Sequence, residues 1–579
     1  MALKIETFSN ATGGSSFFKA AGHPLAARKA ADLLRGLGEA GPVAFYDPFD
    51  LLAAFAEFHD LSRAAPAGLF VQDVTKIGAE RLGMAARPIT ELKASGARTV
   101  FVAAFDAGRA VANIRHLLPD GAEVVTLDAM RLPDDMLSDR RTYLAAINWA
   151  TNFALFRDRN GHHTRVVTAN YWGGYGSAGQ KLYHCLFDAA GKVLAEWTDE
   201  LPPANGTVVI DSREVRERFR LGEFCGSLFV HVIGAAGHDV VKYALDTYGD
   251  EDRTLSCTHD ANAWPADYYA GVPAPSDGER VLLWVQNSHP CPIPAGTVGL
   301  GLMGHGEVAH YGHGIPPFAT VAIDVAELLP KARWPQQIEV SAGRHFVRPR
   351  YEVVAGTGRS RIAHANVERI DLVPDPKLPE LAPLLGKGHI LPAPVLPVAR
   401  FRTTALPTPM SRSLAELPIR ALLVDATGRP AAEHRFGNLK RADSVAIEVN
   451  DLLARAGTEL PSGYGHLELI YDFEAGSHAD GWLHGLFRYE DRLSGHAAET
   501  SFGAHIYNTV LTYRNEPQSY AGRPPGLTTR LFLRLGPSPL DTICHLVYPA
   551  STPWYPTSST ELILTRRDGT EIARRDITI

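Results

Sequence analysis

A short segment recurs three times in this chain, and each copy leads into the same kind of sequence. Thr320-Val-Ala-Ile-Asp324 is followed by Val-Ala-Glu-Leu, Thr207-Val-Val-Ile-Asp211 by Ser-Arg-Glu-Val, and Ser444-Val-Ala-Ile-Glu448 by Val-Asn-Asp-Leu. An internal repeat constrains a fold more than any local motif, because each copy must be one structural unit used again.

The surroundings repeat as well. Upstream, apolar runs flank a turn carrying Gly191, Gly306 or Gly428, which lie 20, 18 and 20 residues before Asp211, Asp324 and Glu448. Glycine in such a turn supplies the positive φ that a tight hairpin requires. Downstream come alternating runs such as Leu228-Phe-Val-His-Val and Leu467-Glu-Leu-Ile-Tyr, the period-2 pattern of half-buried strands. The pattern predicts tandem antiparallel β-sandwich modules, immunoglobulin- or fibronectin-like in strand pattern, each of roughly a hundred residues. The recurring acid falls where a strand gives way to a helical turn, so Asp211 and Asp324 are read as N-caps, with Glu448 a poorer one. A fourth, partial copy is read in Leu562-Ile-Leu-Thr to Asp568-Gly569. Its open edges would pair with the third module or across a self-association interface.

Residues before about 145 alternate strand and helix signals instead. Thr99-Val-Phe-Val, a helix after Asp106 and Ala122-Glu-Val-Val-Thr-Leu-Asp128 form a strand-helix-strand unit, with Asp106 read as its helix cap. The expected organisation is a small α/β domain with a Rossmann-like parallel sheet (1–145), then sandwich modules at 146–270 and 271–372. A Pro-rich linker (373–397), a third module (398–522) and an incomplete terminal module (523–579) complete it.

Composition narrows the function classes. At 579 residues, with 45% apolar and 21% charged residues, the chain is an ordinary multidomain globular protein. The net charge of −7 and the lack of a basic stripe oppose nucleic-acid binding. No apolar run is long enough for a membrane span. The N-terminus lacks a secretory pattern, and the five scattered cysteines (185, 225, 257, 291, 544) read as reduced thiols, so a cytoplasmic location is expected.

Four groups of residues are candidates for chemistry. Gly108-Arg109 at a helix start and Asp128 at a strand end occupy places where dinucleotide folds hold phosphate and ribose, with Asp106 beside them. The loop has one glycine where the dinucleotide fingerprint needs three, and no P-loop occurs. Tyr171, Trp172 and Tyr175 on a Gly-rich loop form a candidate stacking platform for a carbohydrate. His259, His364 and His505 each close a module, either as equivalent ligand positions or as strand-end hydrogen bonds. His305, His310 and His313 are the one histidine cluster with metal-ligand density, although a plain strand would point the last two to opposite faces. No nucleophile or metalloprotease motif occurs, and no pattern names a cofactor. The leading reading is a non-catalytic scaffold or binding protein, with protein partners or self-association through sheet edges. The alternatives are a nucleotide- or nucleotide-sugar-dependent enzyme or glycan binder using the α/β domain, and a His-rich metal-binding protein.

Overall fold

In the computed structural model the described residues are 1–4, 8–9, 13–250, 255–261, 264–368, 391–475, 478–479, 483–504, 512–513, 516–517, 532–536, 541–548 and 556–579. His505 and most of the predicted linker lie outside them.

The N-terminal region is built on a parallel sheet. Its strand order is Met84–Pro88, Ala65–Val71, Pro42–Tyr46, Thr99–Val102, Glu123–Thr126, with the short Glu80–Arg81 antiparallel at one edge. Numbered along the chain, the parallel strands run 3-2-1-4-5, so the order reverses between Pro42–Tyr46 and Thr99–Val102. Both faces are covered, which is why Val43-Ala-Phe-Tyr and Thr99-Val-Phe-Val are continuous apolar runs. The helices Ser16–Gly22 and Pro24–Glu39 lie against one face, and Ala26, Ala30, Leu33 and Leu37 bury the i, i+4, i+7 stripe of the longer one.

The rest of the chain is antiparallel. Among the described residues, three successive sets share one pairing scheme over eight strands each, the second carrying a further short strand, Asn366–Val367, beside its first. In each set the fourth, third, sixth and first strands form one row, and the fifth, second, seventh and eighth form another. In the first set these rows are joined by pairing between Thr151–Arg159 and His162–Ala169; in the other two they are separate sheets. The two rows share a core in each set: Leu300, Ile338 and Val340 meet Leu283, Ile323 and Val353 in the second. In every set the first strand pairs with the sixth and the seventh with the second. A period-2 pattern shows that a strand is half-buried and leaves its neighbours open.

The recurring acid does the same local work twice. Asp211 accepts from Arg213 N at 3.0 Å at the start of Ser212–Phe219, and Asp324 from Ala326 N at 2.9 Å before Val325–Leu328. Glu448 makes no such bond before Val449–Ala456, one methylene being enough to misplace the oxygen. A separate hairpin, Ser559–Thr565 with Glu571–Thr578, ends the chain as given. Its tip touches the first set, where Thr207 N donates to Arg567 O at 2.9 Å.

Candidate functional site

The order reversal in a doubly wound sheet opens a crevice at the carboxyl ends of the strands, the usual place for a ligand. Here that crevice is bordered by the loops after Tyr46 and after Val102. Asp47 Oδ1 accepts from Leu51 N at 2.8 Å and Leu52 N at 3.3 Å. Its other oxygen is buried without a partner, and burial raises the carboxyl pKa. On the other side Asp128 accepts from Asp106 N at 2.8 Å and Ala107 N at 2.9 Å. The expected helix cap, Asp106, is held elsewhere: at φ 50° it receives Tyr143 N at 2.8 Å and pairs with Arg131. Asp128, from the neighbouring strand end, instead holds the loop that leads into Gly108–Ile114, and that helix has no side-chain cap. Gly108 and Arg109 are exposed on the first helical turn. Asp47 and Asp128 thus place two carboxylates beside the loops where a phosphate would have to lie.

The aromatic loop is mostly packed inward. Tyr171 and Trp172 stack with centroids 4.0 Å apart, Trp172 Nε1 donates to His238 O at 3.1 Å, and Trp172 is buried. Tyr171 Oη donates to Val240 O at 2.8 Å and accepts from Lys242 N. Tyr175 is the exposed member, bonded through its hydroxyl to His238 Nε2 at 2.9 Å.

His259 and His364 come together from successive modules, edge to face with centroids 4.7 Å apart. His364 is buried, which pushes it well below the usual histidine range, whereas His259, more exposed, is lowered chiefly by desolvation from the surrounding side chains. Thr258 Oγ1 lies 2.6 Å from His364 Nδ1. The two are not equivalent in register: His259 faces Ala244, one residue after Tyr243, whereas His364 faces Arg350, one before Tyr351. His305, His310 and His313 are exposed around a glycine-rich turn, and among the described residues no three His, Cys, Asp or Glu side chains converge as a metal ion requires.

What sequence reasoning missed is the charge buried between modules. Arg157 binds Glu352 through both terminal nitrogens, at 3.0 to 3.2 Å, and Trp284 Nε1 adds a bond at 2.9 Å. Arg350, 1% exposed, donates to Asp260 at 2.8 Å and Tyr243 Oη at 3.1 Å. Glu499 receives Arg361 at 2.9 Å and Arg488 at 2.6 Å. Arg157 lies on the first strand of its set and the other charged residues on the seventh and eighth strands of theirs, and they stitch the first set to the second and the second to the third.

A cavity of about 560 Å³ opens between the first module and the tip of the terminal hairpin. Its wall includes His184, Asp199, Glu214 and Arg218 on one side and Arg567 and Asp568 on the other. His184, 1% exposed, stacks on Trp197 at 4.4 Å, and burial chiefly lowers its pKa to about 4. Trp197 Nε1 donates to Asp199 at 2.8 Å, and Arg218 donates to the same carboxylate at 2.9 Å.

No family model matches this chain, and no curated protein does. Among solved structures, a glycosyl hydrolase family 2 member from Bacteroides cellulosilyticus aligns over 41% of this chain and 26% of its own, at 8% identity and a TM-score of 0.09. A biofilm-associated protein BSP domain aligns over 61% of this chain and 96% of its own, at 6% identity and a TM-score of 0.12. A β-glucuronidase from Ruminococcus gnavus aligns over 60% and 44%, at 10% identity and a TM-score of 0.10. The aligned region is well under two thirds of the length of the hydrolases, and none of these likenesses lends this chain a function. No helix among the described residues is long and apolar enough to cross a membrane.

Proposed function

We propose that this chain is a non-catalytic binding scaffold, in which the α/β head and the sandwich modules hold partner-binding surfaces in fixed relation. One observation carries the reading: consecutive modules are joined by buried charge pairs, Arg157–Glu352 between the first and second and Arg361–Glu499 between the second and third. A buried pair broken by separation leaves uncompensated charges, so a hinge at either seam is costly. Its partners are proteins, further copies of the chain meeting at sheet edges, or a carbohydrate.

The nucleotide-dependent reading is less well supported. Asp47 and Asp128 line the strand-order reversal, and carboxylates there repel the phosphate it would have to admit. Two measurements on the full chain test the choice. Spin-label distances between the first and third modules are expected to be narrow, and to broaden in Arg157→Ala and Arg361→Ala. A panel of nucleotides and nucleotide-sugars is expected to leave the melting temperature unchanged. Broad distances in the unmodified protein would overturn the scaffold, and stabilisation by a nucleotide would restore the alternative.

A further inference from the structure

The cavity between the first module and the terminal hairpin is assembled from segments some 350 residues apart, and the contact that closes it is specific. Thr207 N donates to Arg567 O at 2.9 Å. Gly569, at φ +85°, sits so close that an added Cβ would lie 2.9 Å from Ala204 O and 3.0 Å from Gly206 N. Only glycine supplies both the conformation and the space, so the hairpin tip is seated by shape as well as by a hydrogen bond.

The lining selects a class of ligand. Four carboxylates, those of Asp199, Glu200, Glu214 and Asp568, face two guanidiniums, Arg218 and Arg567. That excess of negative charge repels phosphates and other anions. Leu182, Val208 and Ile210 supply an apolar wall beside them. Interleaved acceptors and donors next to an apolar surface suit a molecule with hydroxyls on its rim and C–H groups on its face. Behind this lining His184 stacks on Trp197 with centroids 4.4 Å apart, its Nδ1 3.8 Å from Asp199 Oδ2, so the Asp199 carboxylate is held in place at the wall.

We propose that this cavity is a binding site for a neutral saccharide, with the tip of the terminal hairpin as its outer wall. The proposal deepens the scaffold reading and rests on it. Glu214 and the Asp199–Arg218 pair take hydroxyls from the module side, and Arg567 donates from the hairpin side. The apolar wall receives the sugar's C–H face.

The test uses the full chain and calorimetric titration with glucose, galactose, N-acetylglucosamine, maltose and cellobiose, and with spermidine and inorganic phosphate as cationic and anionic comparators. At least one saccharide is expected to bind. Its affinity should fall about tenfold in Glu214→Gln and in Arg567→Ala, two exposed positions whose change leaves the melting temperature in place. Gly569→Val, which unseats the tip, should weaken binding as well. Failure of every saccharide to bind, binding of spermidine or phosphate alone, or saccharide affinity indifferent to all three substitutions would overturn the proposal. Narrow spin-label distances in the same protein would leave the scaffold reading standing in each case.

Discussion

Arg157 and Glu352, 195 residues apart, face each other through a forked pair of hydrogen bonds in a seam where each is almost fully buried. Glu352 is pulled both ways: burial raises its pKa, and Arg157 and Trp284 lower it by more. Removing one partner strands the other. Arg157→Ala or Glu352→Ala alone is expected to cost about 3–5 kcal/mol, whereas replacing both with Leu should cost far less. Chemical denaturation of the two single variants and the double variant measures this. A double variant as damaged as the singles would mean that the pair contributes more than charge compensation.

Glu499 makes the second seam sensitive to acid. Burial pushes its pKa up, but the Arg361 and Arg488 guanidiniums outweigh that and bring it down to about 2. A carboxyl lowered in the folded state contributes stability that is present above its ordinary value near 4.5 and is lost as pH falls toward 2. The loss over that window is on the order of 3 kcal/mol. Urea midpoints between pH 5 and pH 2 should fall, and Glu499→Gln should start lower and flatten the slope.

The buried histidines act earlier on the same path. His23 Nδ1 accepts from Leu25 N, so its Nε2 carries the proton and donates to His231 Nδ1 at 3.2 Å. A proton on that His231 nitrogen would set N–H against N–H. Burial holds His231 down to about 4, against 6.5 for an ordinary histidine. The unfolded chain therefore takes up the proton first, and stability is lost as pH falls from 6.5 toward 4, by about 3 kcal/mol. Thermal unfolding at pH 7 and pH 5 should show the drop, and His231→Gln should reduce it. An equal drop in that variant would assign the titration to another group.

The repeat was legible because hairpins and helix caps demand particular residues: Gly428 at φ +83° and Asp324 at its cap can be read one position at a time. The parallel head was legible for a similar reason, since strands buried on both faces leave continuous apolar runs. Pairing partners leave no such mark. Arg361 and Glu499 are 138 residues apart, and nothing near either announces the other. Register is equally silent in the sequence, because spacing counts residues whereas a sheet counts rungs: His259 faces the residue after Tyr243 and His364 the residue before Tyr351. The cavity beside His184 was hidden because Arg567 reaches it from the far end of the chain.

The turn glycines of the repeat, alike in sequence, carry different loads. Gly428 has φ +83° and open space around it, so Gly428→Ala should cost only the left-handed backbone, about 1–2 kcal/mol. Gly191 has nearly the same φ, +82°, but a Cβ there would lie 2.0 Å from Pro317 O of the second module. Next to it Thr320 N donates to Ala189 O at 3.1 Å, and Phe187 stacks on Phe318 at 4.7 Å. Neither backbone can retreat without breaking that contact. Gly191→Ala should therefore add overpacking to backbone strain, a cost of about 3–4 kcal/mol, and loosen the first seam. Thermal unfolding of the two variants side by side, with proteolysis of the 188–192 turn as a readout of seam opening, decides it. Equal shifts in the two variants would show that the hairpin of the first module does not bear on the second.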